Sequence, residues 1–334
     1  MRRREFITLV GGAAALHPIV SYAQRTPRNV PVVGLIWIWT DASTQFPIRI
    51  RRGFLDGLRE NGYTEGQNIL VEDKYLGTGP GPLGNAAEEL VKLGVDVIVA
   101  MGTPAAFAAR KATSSIPIIA VSMADPVADG LIGSLARPGG NVTGNTFIGP
   151  ELGPKRLQLL NEAFPKAGRI AALRHPHIYG ERTMQEMVSE LEVKAHQIGV
   201  DFQVFDASRP EDFEGAFEAI TQWRADVLLL FTSPMFYVNY SRIVDLAERQ
   251  RLPTMHYFKE AVEGGGLIGY GADITDLFRV AAKYVTRILK GAKPGDLPVE
   301  QPTKFEFLIN LKTAKALGVA FSPTLIARAD EVIE

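Results

Sequence analysis

Two stretches of this chain share one pattern, and that pattern constrains the fold more than any other feature. Asp96-Val97-Ile98-Val99-Ala100-Met101-Gly102-Thr103-Pro104 and Asp226-Val227-Leu228-Leu229-Leu230-Phe231-Thr232-Ser233-Pro234 both run Asp-Val, an apolar stretch, then hydroxyl-Pro. Continuous apolar runs bounded this way read as buried parallel strands. A hydroxyl residue can cap a helix, and Pro suits its first position, so each strand predicts a sharp turn into a helix. The free N–H groups of such a helix start face whatever lies beyond the strand's end. Two copies predict two similar lobes. If their strand tips face each other, two helix starts look into one cleft.

The length of 334 residues allows two ordinary domains. A net charge of −1 leaves no basic surplus for nucleic acid. The first 23 residues read as an export signal rather than fold. Arg2-Arg3-Arg4 precedes Phe6, an apolar Gly/Ala-rich segment follows, and Ser21-Tyr22-Ala23 offers small residues for cleavage. The paired arginines predict the twin-arginine route. The apolar segment is too short for a permanent anchor. With no cysteine there is neither a disulfide nor a residue to carry a lipid. The expected mature protein is periplasmic and does not span the membrane.

Along the chain, strands and helices alternate. Strands are predicted at 32–38, 68–75, 95–102 and 117–121, with helices from Ile50 to Leu58 and over 83–93. The turn-rich Arg137-Pro138-Gly139-Gly140-Asn141-Val142-Thr143-Gly144 reads as a turn leading into a crossing segment. The alternation then restarts, with helices at 152–164, 179–198 and 210–223 and strands at 169–173 and 200–205. This order predicts α/β architecture: two doubly wound parallel-sheet lobes with helices on both faces. A strongly amphipathic helix over 274–289 is left over from the second half. The simplest arrangement returns 270–295 to the first lobe, giving lobes of 30–145 plus 270–295 and 150–266 plus 300–334. Three crossing segments and a hinge follow.

Three longer motifs carry a resemblance. They are Gly53-Phe54-Leu55-Asp56-Gly57-Leu58-Arg59-Glu60 with Gly62-Tyr63-Thr64-Glu65-Gly66-Gln67-Asn68, the Ala136–Gly144 turn, and Pro302-Thr303-Lys304-Phe305-Glu306 with 310–318. Together they resemble the ABC-transporter substrate-binding proteins that include the tryptophan-binding periplasmic proteins. The resemblance implies a type I periplasmic-binding fold and a ligand held between the lobes. It implies an inner-membrane ABC permease as partner. An enzyme of doubly wound fold would need a nucleophile with a base or a metal, and the sequence shows neither pattern, so neither enzyme activity nor a cofactor is expected. A monomer is expected. A periplasmic sensory receptor built on the same binding domain is the alternative.

The candidate ligand site is the set of strand tips. Gly102, Thr103, Thr232 and Ser233 supply hydroxyls and helix-start N–H groups suited to a carboxylate, with plain capping as the alternative for each. Ser122 tips the fourth strand. Trp39, Phe236, Tyr237, Tyr257 and Phe258 lie at or just past tips, where they can sandwich a ring, with core packing under the loops as the alternative; His175 at its own tip and Tyr179 beside it are further ligand candidates. Trp37 and Phe231 are expected in the core. Thr40 belongs to the first tip, and Asp41 and Asp125 are candidates for an ammonium group. An Asp-Pro turn is the alternative for Asp125. His175 and His177 have no third ligand nearby in sequence, so no metal is expected.

Overall fold

The structure is a computed structural model that describes residues 30–39, 45–75, 82–176 and 178–334. The export signal, Thr40, Asp41 and His177 lie outside the described residues.

The first lobe is built on a five-stranded sheet in the order β2-β1-β3-β4-β5, all parallel. Its strands are β1 Val32–Ile36, β2 Leu70–Lys74, β3 Val97–Met101, β4 Ile118–Met123 and β5 Val142–Thr146. Helices α1 Gln45–Glu60, α2 Pro82–Leu93 and α3 Gly102–Ala112 connect them. β1 and β3 are buried throughout, as apolar runs at the middle of a two-faced sheet must be. β2 sits at an edge and is half exposed.

The second lobe begins with α4 Gly149–Ala163. It continues through β6 Arg169–Arg174, α5 Glu181–Ile198, β7 Asp201–Asp206, α6 Phe213–Gln222 and β8 Val227–Leu230. Then come α7 Pro234–Val238, α8 Tyr240–Arg249, β9 Thr254–His256, α9 Lys259–Glu263 and β10 Ile268–Ala272. After α10 Ile274–Leu289 the chain adds β11 Phe305–Asn310, α11 Leu311–Leu317, α12 Pro323–Ile326 and β12 Glu331–Ile333. The sheet order is β12-β11-β10-β9-β8-β6-β7, with β10–β11 the antiparallel pair. The chain is therefore α/β, with parallel sheets in two lobes.

The repeated aspartate has a structural cause. Asp96 Oδ2 accepts from Val32 N at 2.8 Å, and Asp226 Oδ2 accepts from Gly168 N and Arg169 N at 2.8 and 2.9 Å. In both lobes the acid satisfies N–H groups where the neighbouring strand begins, which the ladder alone leaves unmet.

β10 ends in the second sheet, whereas α10 packs on α1, β3, β4 and β5 of the first. The contact is close because α1 offers Gly57. A Cβ there would lie 2.7 Å from Arg279 O and 2.9 Å from Ala282 Cβ. The turn at 137–144 needs correction. Val142–Thr146 is a full strand, and the crossing comes after it, at Phe147 and Ile148. Polar residues hid this strand, and they are buried because the returning chain covers them. Thr143 Oγ1 donates to Leu297 O at 2.7 Å, and Asn145 Nδ2 to Leu277 O at 2.8 Å. Ile148 takes φ 49° at the crossing, a left-handed conformation that is costly for a β-branched residue.

Candidate functional site

In a sheet ordered 2-1-3-4-5, ligands sit outside the carboxyl ends of the strands where the order reverses. Here that point lies between β1 and β3 in the first lobe, and between β6 and β8 in the second. The two points face each other across one cleft. Ile38, Gly102, Thr103 and Ser122 line it from the first lobe, with Phe147 and Ile274 at the crossings. Tyr179, Thr232, Ser233, Tyr237 and Tyr257 line it from the second. Ser122 holds φ 62°, and its N–H is fixed to Asn145 Oδ1 at 2.9 Å. Left-handed non-glycine backbone of this kind clusters at ligand sites.

Hydrogen bonds knit the second-lobe wall together. Tyr179 Oη donates to Thr232 O at 2.9 Å, and Tyr257 Oη donates to Ser233 O. His175 Nδ1 lies 3.0 Å from Ser233 Oγ. Ser233 caps α7, accepting from Met235 N at 3.2 Å. Thr232 Oγ1 is buried in the cleft with no hydrogen-bond partner among the described residues. Burial holds the Tyr179, Tyr237 and Tyr257 hydroxyls far above the usual phenol range, so they remain neutral donors.

Other expected residues sit differently. Thr103 does not cap α3, which starts one residue earlier at Gly102; its hydroxyl accepts from Ala124 N at 3.2 Å, tying α3 to the β4 tip. Asp125 spends its carboxylate on the turn, accepting from Val127 N and Ala128 N at 3.0 and 2.9 Å. Trp39 is 4% exposed and stacks on Trp37, with ring centroids 5.2 Å apart.

Two site features go beyond the sequence-based expectation. One is an aromatic column across the cleft: Trp39, Tyr237 and Phe258 are expected at the tips, but the stacking of Trp37 and Phe278 behind them is not. Phe278 of α10 stacks on Trp37, Trp37 on Trp39, Trp39 lies 6.3 Å from Tyr237, and Tyr237 lies 4.2 Å from Phe258. The signal was available, since residues 37 and 39 fall on one side of an extended chain. A second is Arg156 of α4, 3% exposed, whose Nε donates to Tyr270 O at 2.8 Å and whose guanidinium lies 5.7 Å from the centre of the Tyr257 ring. Burial lowers its pKa to about 10. His256 nearby is held neutral, down to about 3, chiefly by burial and then by Arg156.

The lobes also touch directly. Arg49 of α1 pairs with Glu260 of α9. Asp129, beyond β4, accepts from Gly180 N at 3.0 Å and so caps α5, whose own N-cap residue provides no side-chain bond. Burial raises the Asp129 pKa and Asp125 adds to this; the Thr183 hydroxyl and Gly180 N–H oppose it. A raised pKa means that Asp129 binds its proton more tightly in this buried contact than when solvated. The stabilisation is fully present below the ordinary carboxylate value and is lost as pH rises through the raised one. Asp129→Asn keeps the acceptor without the buried charge, and should stabilise the contact slightly at neutral pH. Thermal denaturation measures this; a melting temperature lowered by several degrees would refute it.

A groove of about 500 Å³ lies elsewhere, between Leu252, Gly264 and Asn310. It sits at the amino ends of β9 and β10, away from both reversal points, so the smaller inter-lobe cleft is the candidate site.

Comparison with known proteins agrees with this geometry. The family model described as ABC transporter substrate binding protein matches residues 43–333. A tyrosine-binding protein of Clostridioides difficile (strain R20291) is 27% identical over 272 residues, covering 81% of this chain and 77% of that protein. The structure of an ABC domain in complex with L-Trp from Streptococcus pneumonia superposes with TM-score 0.82 at 26% identity, covering 91% of this chain and 100% of that one. A conserved domain protein of Vibrio cholerae also gives TM-score 0.82, at 28% identity, covering 91% and 99%. A leucine-binding protein of Thermotoga maritima, at 13% identity and TM-score 0.60, covering 86% and 87%, shares the fold alone. With two lobes, facing strand tips and a match over nearly its whole length, the chain belongs to the ABC transporter substrate-binding protein family, and its fold is the type I periplasmic-binding fold.

Proposed function

We propose that this protein captures an amino-acid-like solute with an aromatic side chain, outside the cytoplasm, for delivery to an ABC permease. One observation carries the reading: the carboxyl-end reversal points of both sheets meet at a single cleft whose walls are tyrosine rings and whose floor carries hydroxyls. The tyrosine- and tryptophan-binding relatives support the solute class. The protein acts by binding, without catalysis.

The cleft leaves about 40 Å³ for water-sized occupants. Pockets that enclose a drug-sized ligand measure about 300 Å³ or more. Entry of an amino acid therefore requires the lobes to part, with the hinge at the crossing segments. A bound solute shifts the balance back only by its preference for the joined form.

Thermal denaturation with L-tyrosine and L-tryptophan tests the solute. At a hundredfold excess over Kd the gain is about 2.7 kcal/mol, a rise of several degrees. The scattering radius should fall as the ligand saturates. A flat melting temperature across all amino acids would overturn the assignment.

A further inference from the structure

Arg156 poses an electrostatic problem that folding does not solve. It is almost fully buried, and among the described residues it forms no ion pair; its one hydrogen bond is to a neutral carbonyl. The groups that bear on its charge are Tyr257, Tyr179 and Tyr270, with no carboxylate among them. A buried cation without a counter-ion is costly, and proteins normally pair or remove it. The neighbouring His256 is neutral and cannot supply the missing negative charge.

The surroundings point to where that charge comes from. The guanidinium lies over the Tyr257 ring, and Tyr257 lines the cleft with its hydroxyl fixed to Ser233 O. Tyr179, also within the field of Arg156, lines the same cleft and is fixed to Thr232 O. Arg156 thus stands one aromatic ring behind the cleft wall. Beside that wall is Thr232 Oγ1, buried and with no hydrogen-bond partner among the described residues. A donor hydroxyl and a fixed positive field converge on one end of the cleft.

We infer that Arg156 sets the ligand's orientation and class by favouring a carboxylate at the Thr232–Ser233 end of the cleft. It acts through space, as a positioning residue that does not itself touch the solute. The inference rests on the proposed solute-binding role of the cleft. A fixed charge several ångströms away in a poorly screened interior discriminates strongly between an anion and its neutral isostere.

Calorimetry with L-tyrosine and L-tryptophan against their carboxamides tests it. The wild-type protein should bind each acid at least about tenfold more tightly than its amide. Arg156→Gln, which can still donate to Tyr270 O, should bring that ratio to within about twofold, mainly by weakening the acid. Arg156→Lys, which keeps the charge, should preserve most of it. A purely structural arginine would weaken acid and amide alike, and an unchanged ratio in the Gln variant would overturn the inference. Should the Gln variant not fold, the wild-type ratio decides alone: equal binding of acid and amide refutes a carboxylate subsite, and a tenfold or larger preference supports it. Binding of amides or amines but of no carboxylate overturns the role of Arg156 and leaves solute capture standing. Binding of none of these probes overturns both.

Discussion

Gly144→Ala should cost the first lobe most of its stability. Gly144 holds φ 137°, and a Cβ placed there would lie 1.8 Å from Ala120 O of the paired strand β4. That atom is backbone within a parallel ladder, so no rotamer change relieves the clash. The register between β4 and β5 already shifts between Ala120 and Met123, leaving little slack. Any retreat of β5 also disturbs both neighbours of Gly144, since Thr143 anchors Leu297 and Asn145 anchors Leu277 and Ser122. Combining left-handed strain with a backbone clash, the cost should be on the order of 4 kcal/mol or more. That corresponds to a fall in melting temperature of about 10 °C for a lobe of this size. Circular dichroism or calorimetry measures it, and a change within one or two degrees would show that β4 and β5 can part.

The same position marks how far the sequence could be read. Buried parallel strands betray themselves as apolar runs, so β1, β3 and β8 stand out, and the duplicated Asp-Val start reveals the two lobes. β5 reads Val-Thr-Gly-Asn-Thr and does not stand out, because Thr143 and Asn145 find their buried partners at Leu297, Leu277 and Ser122, all distant in the chain. The strand tips were legible as a group, and Gly102, Thr103, Ser122, Tyr179, Thr232, Ser233, Tyr237 and Tyr257 line one cleft. The individual role of each was less so. Thr103 has the look of a cap, yet its hydroxyl serves a neighbouring strand tip. Arg156 follows Gly153-Pro154-Lys155 in α4 and looks like an exposed polar residue. It is buried among residues far away in the chain, over the Tyr257 ring and against Tyr270 O. The Asp129–Gly180 contact joins residues on different lobes, and no local pattern encodes such a pairing.

The aromatic column yields the second large effect. Trp39→Ala should weaken binding of aromatic solutes by about 10- to 100-fold, the range expected when a buried aromatic anchor is lost. Trp39 is the ring through which the first lobe reaches the second. Behind it Trp37 is held on both faces, by Trp39 and by Phe278, and its Nε1 donates to Asp73 Oδ1 at 2.7 Å. Ahead of it Tyr237 is backed by Phe258. An aromatic solute between the lobes would exchange the Trp39–Tyr237 contact for two ring contacts of its own, which would give it the preference for the joined form that the proposed closure requires. Without the indole, one of those contacts disappears and the joined form loses its own bridging ring. Trp39→Phe keeps a ring at the same place and should retain most of the affinity, which separates stacking from mere bulk. The first lobe should also lose about 3 kcal/mol of stability from the cavity, so binding must be measured below the variant's unfolding range. Unaltered affinity of the folded Ala variant for both tyrosine and tryptophan would place the solute's ring away from this column.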